Sequence, residues 1–296
     1  MAASEQVLVL IAGGGELAPE LVREAADLCA ARPDWLGPGE ALQLPVPPAR
    51  RDAVREALPA LLAGQRADGA LLPRHGRRKR VLVCDMDSTA IQVECVDELA
   101  RLAGLGPRIA AITRRAMAGE LDFAASLRLR VALLEGLRLR DIDLICRERI
   151  QPTPGMRTLL RTMQAHGAFC ALVSGGFTEF SRFVRWLLGF DMDLANELEV
   201  EDGVLTGRLR PPLRGPEAKR ETLLRLAARY GSGPGDTLAV GDGANDRLMF
   251  EAAGLAVAFR PHAVLRPFAH AVLDHADLRA VLYLQGYRRE EFVEEG

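Results

Sequence analysis

The sequence lacks the features of proteins built around disulfides, structural zinc or a membrane. Its five cysteines are odd in number and form no Cys-x-x-Cys pair, which argues against a disulfide framework and against a zinc site. No apolar run approaches the roughly 18 to 20 residues that a membrane span requires. The first residues lack the basic start and long apolar run of a signal peptide. We therefore expect a soluble, cytoplasmic protein without a membrane partner.

The sequence also lacks a large excess of positive or negative charge. The formal net charge is -2, although 26% of the residues are charged. A nucleic-acid-binding surface would require a basic stripe, so we expect a small-molecule partner and no nucleic acid. The chain has 296 residues and 49% apolar content, which suits one large domain with a real core and a smaller one beside it.

The first 78 residues predict a small α+β domain. Short apolar runs alternate with longer periodic ones, as strands alternate with helices. The predicted strands are Gln6–Ala12, Ala41–Val46 and 70–72, and the predicted helices are 17–31 and 49–63. The basic run 74–80 is interpreted as a solvated connector, which is the usual role of a charge cluster. We place a domain boundary there, so that the domains are 1–78 and 79–296.

The pattern of the second domain is one of buried strands separated by helical stretches. Such a pattern predicts an α/β fold with a parallel sheet covered on both faces. The predicted strands are Val81–Cys84, 169–173, 237–240 and Leu255–Phe259. The stretch after the first strand is too long for one crossover and predicts a helical cap at about residues 95–150. A turn at Asp202 and Gly203 predicts a hairpin over 198–208.

Two carboxylates, Asp85 and Asp87, directly follow the first buried strand. Ligands of such sheets bind beyond the carboxyl ends of the strands. Asp85 can attack phosphorus in line and form an acyl phosphate, while Asp87 protonates the leaving alkoxide and then deprotonates water. Magnesium held by carboxylate and carbonyl oxygens would neutralise the reacting charges. By itself, however, an Asp-x-Asp pair is more typical of an ordinary turn.

Further polar residues follow the other strands or begin a helix. Ser174 and Gly175 supply a hydroxyl and backbone amides that suit an anion. Asp242 and Asp246 bring carboxylates to the same edge of the sheet, and Lys219 can reach a phosphate as a point charge. Taken singly, these residues fit a helix N-cap, a glycine-rich turn and a solvated lysine. Their order on successive strands favours a single site.

In this order, the motifs D-M-D-S-T, S-G-G, Lys219 and G-D-G-A-N-D resemble the haloacid dehalogenase superfamily. The resemblance implies a Rossmann-like core, an aspartate nucleophile and Mg²⁺. Within the superfamily, the chain is similar to the phosphoserine phosphatase family over roughly residues 80–285, including the cap segment 112–134 and the stretch 195–207. This similarity implies hydrolysis of O-phospho-L-serine to L-serine and phosphate, the last step of L-serine biosynthesis.

The resemblance also implies a role for each residue of the motifs. Asp85 would be the nucleophile and Asp87 the general acid and base. Asp85, the backbone carbonyl of Asp87 and Asp242 would hold the metal, and Asp246 would support Lys219 and the metal shell. The phosphate would be contacted by Ser174, Gly175, Lys219 and Asn245.

Substrate choice would come from the cap. Glu94 matches the position that meets the serine ammonium, and Arg130 matches the one that pairs with its carboxylate through two parallel N–H bonds. Met117 and Phe123 match apolar positions that close the pocket against water. Without the resemblance, Glu94 is explained as an acid at a helix start, Arg130 as a surface partner of Glu135, and the two apolar residues as core.

Some segments depart from the family pattern and leave alternatives open. Arg247 stands where an apolar residue is usual, so its helix is expected to pack unusually or to face solvent. Segment 260–263 lacks the usual lysine, and the segment before Lys219 is also unusual. The first 78 residues loosely resemble a regulatory, often ACT-like extension, which suggests serine sensing and a homodimer. The rival functions are a phosphotransferase or phosphatase for another small phosphomonoester and, from another class, a non-enzymatic phospho-acceptor module.

Overall fold

The structure, a computed structural model, describes residues 5–117 and 120–294, and for Met117 it describes the backbone alone. The predicted role of the Met117 side chain therefore lies outside the described residues. Within these ranges, every helix is too short or too polar to span a bilayer. All five cysteines are buried free thiols.

The N-terminal region is a four-stranded antiparallel sheet with two helices. Its elements are β1 (Gln6–Ala12), α1 (Pro19–Cys29), β2 (Asp34–Gly37), β3 (Ala41–Val46), α2 (Arg51–Leu62) and β4 (Ala67–Pro73). The strand order β2-β3-β1-β4 and the element order βαββαβ are those of a ferredoxin-like fold. We refer to residues 5–73 as the N-terminal module.

The prediction for this module was wrong in one element, because it contained three strands and missed β2. This edge strand has only four residues, carries a partly exposed Trp35, and pairs with β3 through a register shift between Trp35 and Gly37. A strand this short and irregular has no clear alternation of apolar and polar residues. The α+β class of the module is confirmed.

Both faces of the module's sheet are buried. On β1, Leu8 and Leu10 pack with the helices of the module, while Val7 and Val9 lie in the large core cluster that also contains Tyr283 from the C-terminal region. Alternate residues of a strand point to opposite faces, so an unbroken apolar strand is expected to be covered on both sides. The module is therefore packed onto the rest of the chain.

The second sheet has seven strands in the order β11-β10-β9-β5-β6-β7-β8. Its strands are β5 (Val81–Cys84), β6 (Phe169–Phe177), β7 (Met192–Glu201), β8 (Val204–Arg210), β9 (Thr237–Gly241), β10 (Leu255–Phe259) and β11 (Ala271–Leu273). The pairs are parallel except for the β7–β8 hairpin. The predicted α/β fold and hairpin are confirmed, and the three-residue β11 was missed.

Helices cover this sheet and rise from one end of it. The connecting helices are α7 (Met156–Ala165), α8 (Thr178–Leu188), α9 (Pro216–Tyr230), α10 (Arg247–Ala252) and α11 (Ala280–Leu284). Between β5 and β6 lie α3 (Cys95–Leu102), α4 (Gly106–Met117), α5 (Phe123–Ala132) and α6 (Leu139–Glu148). These four helices occupy the region where we predicted a helical cap, and we refer to them as the cap.

The cap leaves and rejoins the sheet at one place. Ile91 and Pro152 form an antiparallel bridge, and the backbone N–H of Gln92 donates to the carbonyl of Gln151 at 3.1 Å. On the far side, the N–H of Leu139 donates to the carbonyl of Gly203 in the hairpin turn at 3.0 Å. The cap is therefore tied both to the end of β5 and to the β7–β8 hairpin.

The interpretation of the basic run 74–80 as solvated was wrong for two of its side chains. Arg77 and Lys79 are both only 8% exposed. Lys79 Nζ donates to the carbonyls of Gly76 and Gly235, each at 2.7 Å, and Arg77 Nη2 donates to Gln43 Oε1 at 2.6 Å. Burial of a charge requires such partners. Here Gln43 comes from the N-terminal module and Gly235 from the region of the seven-stranded sheet.

Candidate active site

The site forms at the carboxyl ends of three adjacent strands. In the sheet β5 lies between β9 and β6. Asp85 directly follows β5, Asp242 directly follows β9, and Ser174 lies near the end of β6. Parallel strands present their carboxyl ends at one edge, so residues far apart in sequence meet there. The four segments that the sequence singled out converge at this edge.

Lys219 is the centre of the charge arrangement. It is 1% exposed, and its Nζ lies 2.6 Å from Asp85 Oδ1 and 2.6 Å from Asp246 Oδ1. The charges of these two carboxylates raise the pKa of Lys219 above its usual value, even though burial alone would lower it. Asn245 Nδ2 donates to the other oxygen of Asp85 at 3.3 Å. Asp85 is thus held on both oxygens.

Three buried carboxylates face one another beside this lysine. One oxygen from each of Asp85, Asp242 and Asp246 lies within 4.8 Å of the others. Burial, followed by the neighbouring charge of Asp85, raises the pKa of Asp242 and that of Asp246 to about 7 each. Three negative charges around one ammonium leave an excess that a cation would neutralise. The all-oxygen donor set fits Mg²⁺, because hard divalent cations prefer carboxylate and carbonyl oxygens.

The turn after β9 is shaped around Asp246. The backbone N–H groups of Asp242 and Gly243 both donate to Asp246 Oδ2 at 3.1 Å. A Cβ at Gly241 would overlap this carboxylate, so the close approach requires glycine. Asp246 therefore links Lys219 to the segment that carries Asp242.

The loop after β5 sets the position of Asp87. The backbone N–H of Cys95, at the start of the cap, donates to Asp87 Oδ1 at 3.2 Å. Burial, followed by the neighbouring charges of Glu94 and Asp85, raises the pKa of Asp87 to about 8. A carboxyl group in this range can hold a proton near neutral pH and release it, which is what a general acid and base must do.

Ser174 lies in a turn that faces Asp87. The backbone N–H of Gly176 donates to Ser174 Oγ at 2.9 Å. A Cβ at Gly176 would stand 3.4 Å from Asp87 Oδ2, so the turn and the acidic loop approach closely. A Cβ at Gly175 would lie 3.2 Å from the ring of Phe123, which places this cap residue over the turn. We refer to residues 174–176 as the phosphate turn.

The guanidinium of Arg130, on the cap side, has incomplete hydrogen bonding within the described residues. Arg130 Nε is buried and has no hydrogen-bond partner within residues 5–117 and 120–294. Burial lowers the pKa of Arg130, while the nearby charges of Asp97, Glu94 and Asp87 raise it. Partial loss of solvent, followed by the charge of Asp85, raises the pKa of Glu94, although this residue remains exposed. Burying a charged group without full pairing is costly, which makes Arg130 a candidate for binding a ligand. The surface pairing of Arg130 with Glu135, our structural alternative, does not fit this burial.

Two residues of the site were missed in the sequence analysis. Thr89 Oγ1 donates to Asp242 Oδ1 at 3.0 Å, and Ser88 Oγ donates to Glu94 Oε1 at 2.6 Å. Ser88 has φ 54°, a left-handed conformation that is uncommon outside glycine. Both residues belong to the D-M-D-S-T motif, but the partner of Thr89 is 153 positions away, so local sequence gave no signal of the contact.

The departures from the family pattern have plain structural consequences. Arg247 is exposed, as one of the two expectations had it; it pairs with Glu251 at 2.8 Å and stacks over the ring of Phe268. Segment 260–263 reaches the site through its backbone, since the N–H of His262 donates to the carbonyl of Asp242 at 2.9 Å.

Comparison with known proteins agrees with this geometry. The family model for haloacid dehalogenase-like hydrolases matches residues 82–251, more than half of the chain. Phosphoserine phosphatase SerB2 of Mycobacterium tuberculosis is 42% identical over 261 residues, which cover 87% of this chain and 63% of that protein. The chain thus spans less than two thirds of the length of this relative.

Two solved structures extend the likeness to the fold. A haloacid dehalogenase family hydrolase from Salmonella enterica serovar Typhi has a TM-score of 0.84 and 29% identity, and covers 95% of this chain and 98% of its own. A phosphoserine phosphatase solved as a phospho-aspartyl intermediate analogue has a TM-score of 0.65 and 39% identity, with 70% of this chain and 98% of its own covered. The family resemblance seen in the motifs is confirmed: the chain belongs to the haloacid dehalogenase-like hydrolases.

Proposed function

We propose that the protein is a phosphoserine phosphatase that hydrolyses O-phospho-L-serine to L-serine and phosphate. The observation that carries this proposal is the convergence of Asp85, Lys219 and Asp242 at the sheet edge beneath a cap that presents Glu94 and Arg130. The relatives named above support both the chemistry and the substrate. The reaction would complete L-serine biosynthesis.

The first chemical step is attack on phosphorus by a carboxylate oxygen of Asp85. The bond between phosphorus and the serine oxygen breaks as the new bond to Asp85 forms. Asp87, with a pKa raised to about 8, donates its proton to the departing serine oxygen. The ammonium of Lys219 and the amides of the phosphate turn stabilise the negative charge on the transferring group.

The second step removes the phosphoryl group from Asp85. Asp87, now ionised, takes a proton from a water molecule as its oxygen attacks phosphorus. The bond from phosphorus to Asp85 breaks, and the carboxylate returns to its original state. Asn245 and Lys219 hold this carboxylate on its two oxygens throughout, so little reorganisation is needed between steps.

A magnesium ion fits the carboxylate cluster described above. Asp85, Asp242 and the backbone carbonyl of Asp87 would hold it, and Asp246 would support the arrangement through its two backbone hydrogen bonds. When bound, the ion supplies positive charge that screens the phosphate from the anionic nucleophile.

Specificity for an amino-acid phosphate comes from the cap side. The carboxylate of Glu94 suits the serine ammonium. The guanidinium of Arg130, whose Nε has no hydrogen-bond partner among the described residues, suits the serine carboxylate. Phe123 lies over the phosphate turn and would exclude water from the site. We include Met117 with Phe123 on the family resemblance alone.

The proposal is tested by steady-state kinetics on a panel of substrates with Mg²⁺ present. We expect O-phospho-L-serine to be hydrolysed far faster than phosphothreonine or an aryl phosphate, and Asp85→Asn to lose on the order of 10⁴-fold or more in turnover. Equal rates on all three esters would exclude the assigned specificity. Phosphate transfer to an added alcohol in place of water would indicate a phosphotransferase.

We further propose the division of the chain into 1–78 and 79–296, with the first part acting as a regulatory extension of the ACT type. The ferredoxin-like order of its elements supports this proposal. A homodimer and a cytoplasmic location stay predictions. Titration of the full-length enzyme with L-serine checks the regulatory role, since unchanged kinetics and no heat of binding outside the active site would exclude it.

A further inference from the structure

The side chain of Asn196 is fully buried, and its hydrogen bonds connect two loops of the site. Its Nδ2 donates to the carbonyl of Gly175 at 2.9 Å and to the carbonyl of Arg214 at 3.0 Å. Its Oδ1 accepts the backbone N–H of Arg214 at 2.7 Å. Both donor hydrogens of the amide are therefore used. The reverse orientation of the amide is excluded, because it would set an oxygen against two carbonyls.

The hydrogen bond from Asn196 to Gly175 results from an irregularity in the pairing of β6 with β7. The pairing of β6 with β7 is regular up to Val173, shifts register, and resumes at Phe177, which lies opposite Asn196. The phosphate turn, residues 174–176, therefore bulges out of the ladder, and the Gly175 carbonyl is left without a regular strand partner. The Asn196 amide supplies a partner for it, which meets the requirement that buried backbone groups be hydrogen-bonded.

The bonds to Arg214 act on the other side of the phosphate. Arg214 precedes Gly215, the N-cap of α9, and Lys219 lies in the first turn of that helix. The two bonds to the backbone of Arg214 fix the chain just before the helix begins, and with it the origin of the Lys219 side chain. A Cβ at Gly215 would lie 3.1 Å from the ring of Phe123, the same ring that covers Gly175.

We propose that Asn196 is a positioning residue that sets the spacing between the phosphate turn and the start of α9. Through this spacing, Asn196 places the anion-binding amides and the Lys219 ammonium at the distance that a phosphoryl group requires. It also holds in place the two loops against which the ring of Phe123 packs. The inference rests on the proposed function for its phosphate ligand but concerns how two loops are held, which neither the motifs nor the relatives assign.

Two substitutions separate hydrogen bonding from shape. Asn196→Asp keeps the shape and the acceptor for the Arg214 N–H, but it sets a carboxylate oxygen against the carbonyls of Gly175 and Arg214. Asn196→Ala removes all three bonds. We expect both variants to lose about 10- to 100-fold in kcat/KM for O-phospho-L-serine, as small misplacements of catalytic groups do. We also expect both to bind inorganic phosphate at least about tenfold more weakly in the presence of Mg²⁺.

The matched control is Ser181→Ala. Ser181 is buried as completely as Asn196, and its Oγ donates at 2.6 Å to Asp193, which lies on β7 as Asn196 does. Among the described residues, none of its side-chain hydrogen bonds reaches the phosphate turn or the segment before α9. Phosphate affinity is measured by titration calorimetry, and thermal midpoints report the cost in stability. If Asn196→Ala does not fold, the isosteric Asn196→Asp carries the test.

The outcomes are distinct. Phosphate affinity that falls in the Asn196 variants but not in Ser181→Ala supports the inference. Wild-type affinity in Asn196→Asp, or an equal fall in Ser181→Ala, overturns it. A wild-type protein that binds phosphate but does not hydrolyse O-phospho-L-serine overturns the proposed function, and the affinities then still decide the role of Asn196. A wild-type protein that binds no phosphate overturns both.

Discussion

The sheet side of the site and the cap side treat their charged groups in opposite ways. On the sheet side, Lys219 is buried between two carboxylates, and Asp246 accepts two backbone N–H groups as well. On the cap side, in the part of the chain that the structure describes, Arg130 leaves a buried Nε without a hydrogen-bond partner, and the side chain of Glu94 accepts a hydrogen bond from Ser88 alone. Groups that perform chemistry benefit from fixed partners, whereas groups that recognise a substrate need capacity left for it. The difference separates reaction from recognition within one site.

The largest effect is expected from breaking the sheet side. Lys219→Met leaves Asp85 and Asp246 buried without their cation, so we expect a loss of about 3–5 kcal/mol in the free energy of unfolding, together with loss of activity. Urea denaturation measures this cost. The control is Arg266→Met, which removes a cation from an exposed pair with Asp274 and should cost less than about 1 kcal/mol. Similar losses in the two variants would contradict the structural role of Lys219.

On the cap side, loss of a charge should change selectivity and leave stability intact. Arg130→Ala should lower kcat/KM for O-phospho-L-serine about 10- to 100-fold, because charge-assisted hydrogen bonds contribute about 1.5–3 kcal/mol. Phosphoethanolamine lacks the carboxylate, so its hydrolysis should change little. Steady-state kinetics on both esters, for the wild type and the variant, measure the ratio of their kcat/KM values. An equal loss on the two esters would show that Arg130 serves the fold or the chemistry and not the carboxylate.

The pH dependence of stability tests the acidic cluster of the sheet side. Folding raises the pKa of Asp242 from its ordinary value of 3.8 to about 7, so between these values the folded state binds more protons than the unfolded state. The contribution of Asp242 to the stability of the metal-free protein should therefore fall as pH rises from 4 to 7, by up to about 1.4 kcal/mol per pH unit. Denaturation with EDTA present measures the slope, and Mg²⁺ should restore stability most at the upper end.

Asp242→Asn is the variant that sharpens this test. It removes the titrating group, so the fall in stability with pH should become shallower, and the gain from Mg²⁺ should shrink. A slope that is unchanged in this variant would assign the titration to another carboxyl group of the cluster.

The smallest effect is expected at the hydrogen bond between Ser88, in the loop after β5, and Glu94, at the start of the cap. Ser88→Ala removes the 2.6 Å hydrogen bond to Glu94, and loss of one such bond costs about 0.5–1.5 kcal/mol. We expect a rise of about three- to tenfold in KM for O-phospho-L-serine, and no change for phospholactate, which lacks the ammonium. Ser88→Gly suits the left-handed backbone better and is the control for strain. A rise in KM for phospholactate as well would show that Ser88 serves the loop in general.

Much of the catalytic sheet could be predicted from the sequence because its strands are short, continuous apolar runs. Val81–Cys84 and Leu255–Phe259 were predicted with the bounds that the structure has. The sequence also indicated which turns face the ligand, since polar residues that directly follow buried strands come together in a parallel sheet.

The remainder depends on contacts between distant residues. Thr89 meets Asp242, and Asn196 meets Gly175 and Arg214, through a bulge that no local pattern indicates. Lys79 appeared solvated because its partners, the carbonyls of Gly76 and Gly235, are backbone groups. Charge patterns in a sequence do not reveal a backbone partner that arrives from another part of the fold.

Asp68, at 4% exposure in the N-terminal module, accepts the backbone N–H groups of Asp274, His275 and Ala276 just after β11. A carboxylate of the N-terminal module therefore supplies the hydrogen-bond acceptors for a loop of the seven-stranded sheet. A chimaera that exchanged the module for one from another protein would need an acid at the same place, or that loop would lose its anchor. The two parts of the chain are therefore less interchangeable than their separate sheets suggest, and substitutions in one restrict those accepted in the other.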